Sequence, residues 1–351
     1  MDDGRSRGGT RRLIPMNNIL LVRTAMTAAL VAVSAVGASA QTSEAIGVRA
    51  QGMGGAFTAV ADDATAAWWN PSGLAAGAYF NSIIEIGSQR QPASEGAVPA
   101  WKSGTRGFSI AYPALGLSYY RLRVSEIQPI TSAGGGAGGR QDQGSADIGL
   151  RSLVVSQFGV TVGQSLGNHV VVASTLKLLR GSVATDVRPA AGASIDAAAD
   201  LDGRTETHPG LDLGAMAKLG LARVGFMVRN AKKTTFGEGE QAITMDRRLR
   251  AGVAFSSRSN LTTVAADVDL TKTMLPTGEE RRVAAGVEAW GATRRIGLRT
   301  GVSLNTLADA RVSVGVGVSV AVRSGTFLDV AATVGSDESR RGWGFALRVT
   351  F

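Results

Sequence analysis

The sequence predicts an all-β protein, a transmembrane antiparallel β-barrel of about fourteen strands with a small N-terminal helical and loop hatch in its lumen. Three observations carry this. Segments of about ten to thirteen residues alternate apolar side chains with small or polar ones, the period of a strand with two unlike faces. The chain opens with an export signal. Gly makes up 46 of its 351 residues, roughly twice the ordinary share of ~7%, which points away from helical bundles.

Residues 1–40 are set aside as a leader. From Met16 the chain reads MNNILLVRTAMTAALVAVSAVGASA: a short polar start ending at Arg23, a small-residue apolar run from Ala25 to Ala38, and an A-x-A cleavage site at Ala38-Ser39-Ala40. The apolar run is too short for a comfortable membrane span. Met16 makes a more natural start than Met1, and residues 1–15 are assigned no fold. The expected destination is the bacterial outer membrane of a Gram-negative cell, after Sec-type export and cleavage near Ala40.

Composition excludes several functions. The chain has no Cys and two His, His169 and His208, so disulfide scaffolds, thiol nucleophiles, zinc fingers and iron–sulfur clusters are ruled out. No metal and no cofactor are expected. Part of the formal charge of +9 leaves with the leader, which holds Arg5, Arg7, Arg11, Arg12 and Arg23 against Asp2 and Asp3. No Lys/Arg block interleaves with aromatics, so no nucleic-acid partner is expected. The remaining basic excess suits outer-membrane lipid and lipopolysaccharide.

Residues 41–78 form the expected hatch or plug. Asp62-Asp63 can cap a short helix over Ala64–Trp69, and Asn70-Pro71-Ser72-Gly73 reads as the turn that ends it. So small an Ala/Trp-rich unit cannot bury itself alone and needs a cavity. Gly52-x-Gly54-Gly55 lacks the strand-then-helix context of a dinucleotide fingerprint.

Residues 79–351 form the expected barrel. Alternating runs fall near 80–90, 106–112, 115–127, 146–156, 157–166, 169–183, 205–219, 221–231, 245–256, 261–271, 281–291, 294–304, 311–323, 326–335 and 342–351. A single-chain bacterial barrel has an even number of strands, so these fifteen reduce to fourteen. One merger would make 106–127 a single strand bent at Pro113, since proline cannot donate to a ladder. The strands fit the nine to eleven or so residues that a tilted membrane strand needs, and inward glycines leave space in a narrow barrel. Leu166-Gly167-Asn168 reads as a tight turn. Ser132–Ser145, with its GGGAGG run, and Asp186–Arg204 read as long loops; GGGAGG lacks the GK[ST] of a phosphate cradle. The terminal aromatic Phe351 is the expected signal for the barrel-assembly machinery.

On the inward parity lie Arg248, Arg250, Asp267, Asp269, Arg282, Glu288, Arg295 and Arg299. Opposite charges on neighbouring strands contribute about 0.2–1 kcal/mol per pair. They form either a salt-bridged lumen that fixes register or a polar conduction path. Asp62-Asp63 and Glu279-Glu280 have no nucleophile or base placed beside them by sequence, so no enzymatic step is expected.

Residues 52–74 carry Gly52, Gly54, Gly55, Ala56, Phe57, Ala59, Ala61, Asp62, Asp63, Asn70, Pro71, Gly73 and Leu74 in order, with Trp68 and Trp69 just before the Asn-Pro. This string resembles the N-terminal signature of the FadL/TodX and PorV-like superfamily of outer-membrane barrels, G-x-G-G-A-[FY]-x-A-x-A-D-D followed six residues later by N-P-A-G-L, with Ser72 replacing the usual Ala. More loosely the resemblance extends over the rest of the barrel. The FadL branch implies a plugging hatch and diffusion of hydrophobic molecules through a lateral opening; the chain is short for that branch, which implies reduced external loops. The PorV-like branch implies attachment of secreted cargo. The leading expectation is passive transport of a hydrophobic small-molecule ligand through an Ala/Leu/Phe-lined pocket beside the plug. The alternative is a structural or secretion-associated barrel that binds protein partners and conducts nothing. A third, an acyl hydrolase, would need a Ser/His or acid dyad near the rim. The barrel itself predicts that folded protein runs faster on a gel than boiled protein; equal migration together with recovery from the periplasm would refute it.

Overall fold

The computed structural model describes residues 46–91, 100–129, 147–189, 194–239, 242–275, 278–307, 310–337 and 340–351. The expected leader, residues 41–45 of the hatch and the Ser132–Ser145 loop lie outside these residues. Short helices α1 (Val48–Gly52) and α2 (Ala66–Trp69) and a 3-10 turn at Pro71–Ala76 precede the first strand.

Eighteen strands are described. The wall strands are β1 (Asn81–Gln91), β2 (Ala100–Tyr112), β3 (Leu115–Pro129), β4 (Asp147–Leu166), β5 (Val170–Pro189), β6 (Thr205–Leu219), β7 (Ala222–Arg229), β10 (Arg248–Ser256), β11 (Thr262–Asp269), β14 (Arg282–Trp290), β15 (Ile296–Asn305), β16 (Val312–Arg323), β17 (Thr326–Gly335) and β18 (Gly342–Thr350). These fourteen close into an antiparallel barrel in chain order, and β1 pairs with β18. The seam is sealed by Phe80 and Phe351, which exchange backbone hydrogen bonds of 3.2 and 3.0 Å and stack at 5.9 Å. Two hairpins stand apart from the wall, β8 (Thr234–Phe236) with β9 (Ile243–Met245) and β12 (Thr273–Leu275) with β13 (Gly278–Glu280).

Alternation sorts each strand into two faces. On β15, Ile296, Leu298, Val302 and Leu304 are exposed while Gly297, Arg299, Gly301, Ser303 and Asn305 are buried. On β16, Val314, Val316, Val318 and Val320 face out and Ser313, Gly315, Gly317 and Ser319 face in. In this fold, then, exposed means apolar and buried means polar. That inversion suits a lipid exterior and a filled lumen.

Three sequence expectations are corrected. Residues 106–127 do not form one bent strand: β2 and β3 are separated by a tight turn at Pro113-Ala114, where Ala114 takes a positive φ of 62°. The merger lies instead at 146–166, where the two runs form the single 20-residue β4, because Ser156-Gln157-Phe158 keeps the two-residue period unbroken. Asp186–Arg204 is not all loop: β5 continues to Pro189 and a helix, α3 (Ile195–Ala199), follows, capped by the Ser194 hydroxyl, which accepts from Ala197 N at 3.0 Å. The Leu166-Gly167-Asn168 turn lies where expected, with Gly167 at φ 67°.

The interior is filled by the hatch. Its apolar core joins Ile46, Ala50, Met53, Phe57, Val60, Trp68, Trp69 and Leu74 to wall residues such as Ile83, Tyr120 and Ala254. Gly286, Gly301 and Gly315 lie directly opposite one another across β14, β15 and β16, and a Cβ on any of them would run into hatch backbone at Gln51–Gly54. Gly54 itself sits at φ 65° with its missing Cβ aimed at the β15 backbone. Gly301→Val should therefore displace Gln51–Gly54 at a cost of about 1–3 kcal/mol, read as faster proteolysis of the hatch, while the barrel remains heat-modifiable.

Candidate functional site

The site is the contact between hatch and wall. From β1, the Glu85 carboxylate accepts from Gly47 N at 3.0 Å and from Val48 N at 3.2 Å, receiving the free amides at the start of α1. Asn81 Oδ1 on the same strand accepts from Ala64 N at 2.8 Å. From β11, Asp267 Oδ2 accepts from Phe57 N (3.0 Å), Thr58 N (2.9 Å) and Thr58 Oγ1 (2.6 Å). From β7, Arg229 donates to Trp68 O at 2.5 Å and lies 4.0 Å over the Trp68 ring. Hatch backbone that would otherwise be buried without partners is thus satisfied from several sides of the wall.

Arg49 on α1 ties hatch to wall by charge. Its guanidinium meets Asp62 at 2.8 Å and Asp63 at 2.7 Å within the hatch, and Glu288 on β14 at 2.8 Å. Burial alone would lower its pKa, but Glu288, Asp62 and Asp63 together hold it well above its ordinary value. Glu288 also receives Arg299 Nε at 2.6 Å, directly across the β14–β15 ladder. Arg299 in turn reaches Ser319 and Asp329, which Arg348 pairs at 2.9 Å. A chain of alternating charge therefore runs from Asp63 across β14, β15, β16, β17 and β18. A second group, where Asp269 pairs with Arg250 at 2.6 Å and Glu280 with Arg282 at 2.8 Å and Arg340 at 2.7 Å, ties the wall to the β12–β13 hairpin.

Most expected site residues meet here. Gly52, Gly54, Gly55, Phe57, Asp63, Trp68, Trp69, Asn70, Pro71, Gly73 and Leu74 all sit in the lumen against the wall, with Asp62 half-buried. Asn70 Nδ2 donates to Thr58 O at 2.9 Å, its Oδ1 accepts from Ser72 N, and Trp69 Nε1 donates to Ile46 O at 3.0 Å. Arg248, Arg250, Asp267, Asp269, Arg282, Glu288 and Arg299 are buried inward as expected. Arg295 is not: it lies in the exposed β14–β15 turn, one residue before the ladder begins. The expected helix over 64–69 is also shorter. It starts at Ala66, and Asp63 acts one step earlier by accepting from Thr65 N at 2.9 Å.

Sequence reasoning missed Arg49, Glu85, Arg229, Asp329 and Arg348. The parity of Asn81, Glu85 and Gln89 against Ile84 and Ile86 was available to find Glu85; Arg49 has no such signal, because its partner on the wall, Glu288, lies 239 residues away. Among the described residues no cluster of His, Asp and Glu could hold a metal. His208 lies 3.2 Å from Glu206 and edge-on to Phe236, and His169 occupies the β4–β5 turn.

The cavity beside the hatch is only in part the Ala/Leu/Phe-lined pocket that the sequence suggested: Ala76, Ala78, Leu221 and Phe327 share its lining with charged side chains. It holds about 470 Å³ between the hatch and the short turns, and Arg49, Asp62, Lys218, Arg223, Glu288 and Arg348 line it. The apolar cluster lies elsewhere: Trp101, Leu153, Val155, Leu179, Phe236, Ile243 and Met245 pack under the β8–β9 hairpin. Glu288→Gln should leave Arg49 and Arg299 without their shared charge and destabilise hatch docking by about 3–5 kcal/mol. Hydrogen exchange of the amides of Val48–Trp69 measures it; unchanged exchange would show that the pair does not hold the hatch.

The Ralstonia pickettii toluene transporter TbuX superposes with a TM-score of 0.59 at 14% identity, over 88% of this chain and 99% of that one. The CymD monoaromatic hydrocarbon channel gives 0.61 at 15%, over 87% and 97%. A Pseudomonas aeruginosa FadL homologue gives 0.55 at 10%, over 87% and 97%. At these identities the likeness is one of fold. No protein of curated function matches the sequence. Residues 23–269, from within the expected leader through the hatch to the end of β11, match the model of the family described as "F plasmid transfer operon, TraF, protein", and since that match covers more than half of the chain, the protein belongs to this family.

Proposed function

We propose that this protein is an outer-membrane barrel that passes small hydrophobic compounds through a plugged lumen. The observation that carries the reading is that two units, each with its own apolar cluster, pack inside the barrel. One is the hatch, a compact apolar unit fastened by discrete polar latches. The other is the β8–β9 hairpin, which seats Phe236 and Ile243 on Trp101, Leu153 and Leu179. An apolar compound gains by partitioning into that seat once the hairpin lifts, at roughly 25 cal/mol per Å² of apolar surface buried. The cavity below the hatch mixes charged side chains with Leu221, Trp290 and Phe327, so it is the poorer resting place for an apolar compound. Cargo is then held mainly above the plug, and it passes Arg49 and Glu288 down its own concentration gradient. The fold of solved neighbours described as toluene and monoaromatic hydrocarbon transporters supports the same reading.

A second reading, a barrel of PorV-like type that binds protein partners and conducts nothing, is favoured by the closeness of the seal: Glu85, Asn81 and Asp267 each accept from hatch amides, and no open passage is needed to explain them. Toluene uptake into proteoliposomes separates the two. Deleting residues 46–75 should raise uptake by about tenfold or more over intact protein, and Phe236→Ala should raise it less. If the deleted barrel stays heat-modifiable yet takes up no more than empty vesicles, transport is refuted and the partner-binding reading stands.

A further inference from the structure

Both ends of the wall sequence, Phe80 and Phe351, lie at the same end of the barrel as the short turns at Pro113-Ala114, Gly167, Gly220-Leu221 and Ser324-Gly325. In outer-membrane barrels short turns face the periplasm and long loops face outward. The outer wall of β2 to β6 changes character toward the long-loop end. One cross-strand row reads Phe108, Tyr119, Phe158, Leu178, and all four are exposed. The next row on the same face, two residues further, reads Arg106, Arg121, Ser156, Arg180. Arg123 follows on β3.

These arginines differ from those of the lumen. Inside, Arg49, Arg250, Arg299 and Arg348 each meet a carboxylate. On the outer face, none of Arg106, Arg121, Arg123 and Arg180 makes an ion pair with a described residue. Arg106 and Arg121 even stand directly opposite each other, an arrangement that destabilises a ladder unless an anion lies between. The segment after α3 bends over the same face. Ser182 Oγ donates to Gly203 O at 3.0 Å, and Lys102 pairs with Asp196 of α3 at 3.2 Å. Leu201, Asp202 and Gly203 thereby roof a cleft of about 610 Å³ whose floor is Tyr119, Phe158 and Leu178 and whose sides include Arg121, Arg123 and Arg180. Irregular backbone is not tolerated on a lipid-facing surface within the hydrocarbon, so the roof marks the height at which the apolar layer ends.

We propose that this cleft binds the phosphorylated head group of an outer-leaflet glycolipid, the bisphosphorylated lipid A portion of lipopolysaccharide. The arginines supply forked donors that match phosphate, Thr205 and Thr207 on β6 add hydroxyls to the same cleft, and the aromatic row below takes the upper acyl chain. Asp202, an acid on the roof, faces the glycolipid's sugar rather than its phosphates. The proposal rests on the outer-membrane placement above, but not on transport.

The test uses full-length protein in neutral detergent with fluorescent bisphosphoryl lipid A as probe. Wild type should bind it in a salt-dependent way, and the combined Arg121→Ser, Arg123→Ser, Arg180→Ser variant should bind at least about tenfold more weakly. Dephosphorylated lipid A should fall to the level of that variant, and phosphatidylglycerol should compete poorly. Arg258→Ser, an exposed arginine in the β10–β11 turn at the other end, should change nothing. Equal binding by the triple variant, or equal competition by phosphatidylglycerol, overturns the proposal. Heat-modifiable migration of each variant verifies folding. Failure of the wild type to insert into bilayers at all would instead remove the outer-membrane reading.

Discussion

The structure depends on one constraint: a closed strand wall leaves a lumen, and whatever chain fills it must have its backbone amides and carbonyls satisfied by its own turns and side chains or by the wall. Side chains do this where the hatch stands off, as Glu85, Asn81, Asp267 and Arg229 show. Where hatch and wall touch backbone to backbone, side chains must be absent, and the row Gly286, Gly301, Gly315 meets that need. The glycine excess therefore reports the close approach of two polypeptide surfaces more than looseness of the chain.

Charge is distributed by the same logic. Buried ions are tolerable only when paired and hydrogen-bonded, and the lumen arranges them in alternating sign from Asp63 through Arg49, Glu288 and Arg299 to Asp329 and Arg348. Because Arg49 belongs to the hatch and Glu288 to the wall, the array holds the plug in place as well as fixing strand register. A change in that pair acts on the hatch together with the attachments from Glu85, Asn81, Asp267 and Arg229. On the outer wall the requirement is reversed. Exposed valines and leucines need no partner in lipid, whereas the outward Arg106, Arg121, Arg123 and Arg180 meet no carboxylate among the described residues.

Much of the fold was legible in the sequence. A two-residue period survives any tertiary context, because shifting a strand by one residue would turn all its apolar side chains inward. That is why β15, β16 and β18 were read with nearly their observed bounds. The errors fell where periodicity is silent about chain direction. Pro113 breaks a ladder whether the chain bends or reverses; the positive φ of Ala114 reverses it. Conversely, Ser156-Gln157 looks like a boundary only because polar residues meet there on both faces.

The sequence by itself determined the class of the barrel and the inward side of strands such as β10, β11, β15, β16 and β18, since these follow from local alternation. Only the tertiary structure decided which charges meet. Parity placed Arg295 and Arg299 alike, but the ladder starts at Ile296, so one is solvated and the other buried against Glu288. Likewise nothing near Arg49 in sequence announces Glu288, 239 residues away. Pairing across such distances is set by how many strands close the wall and by the height at which the hatch comes to rest, and both are properties of the closed barrel rather than of any segment of it.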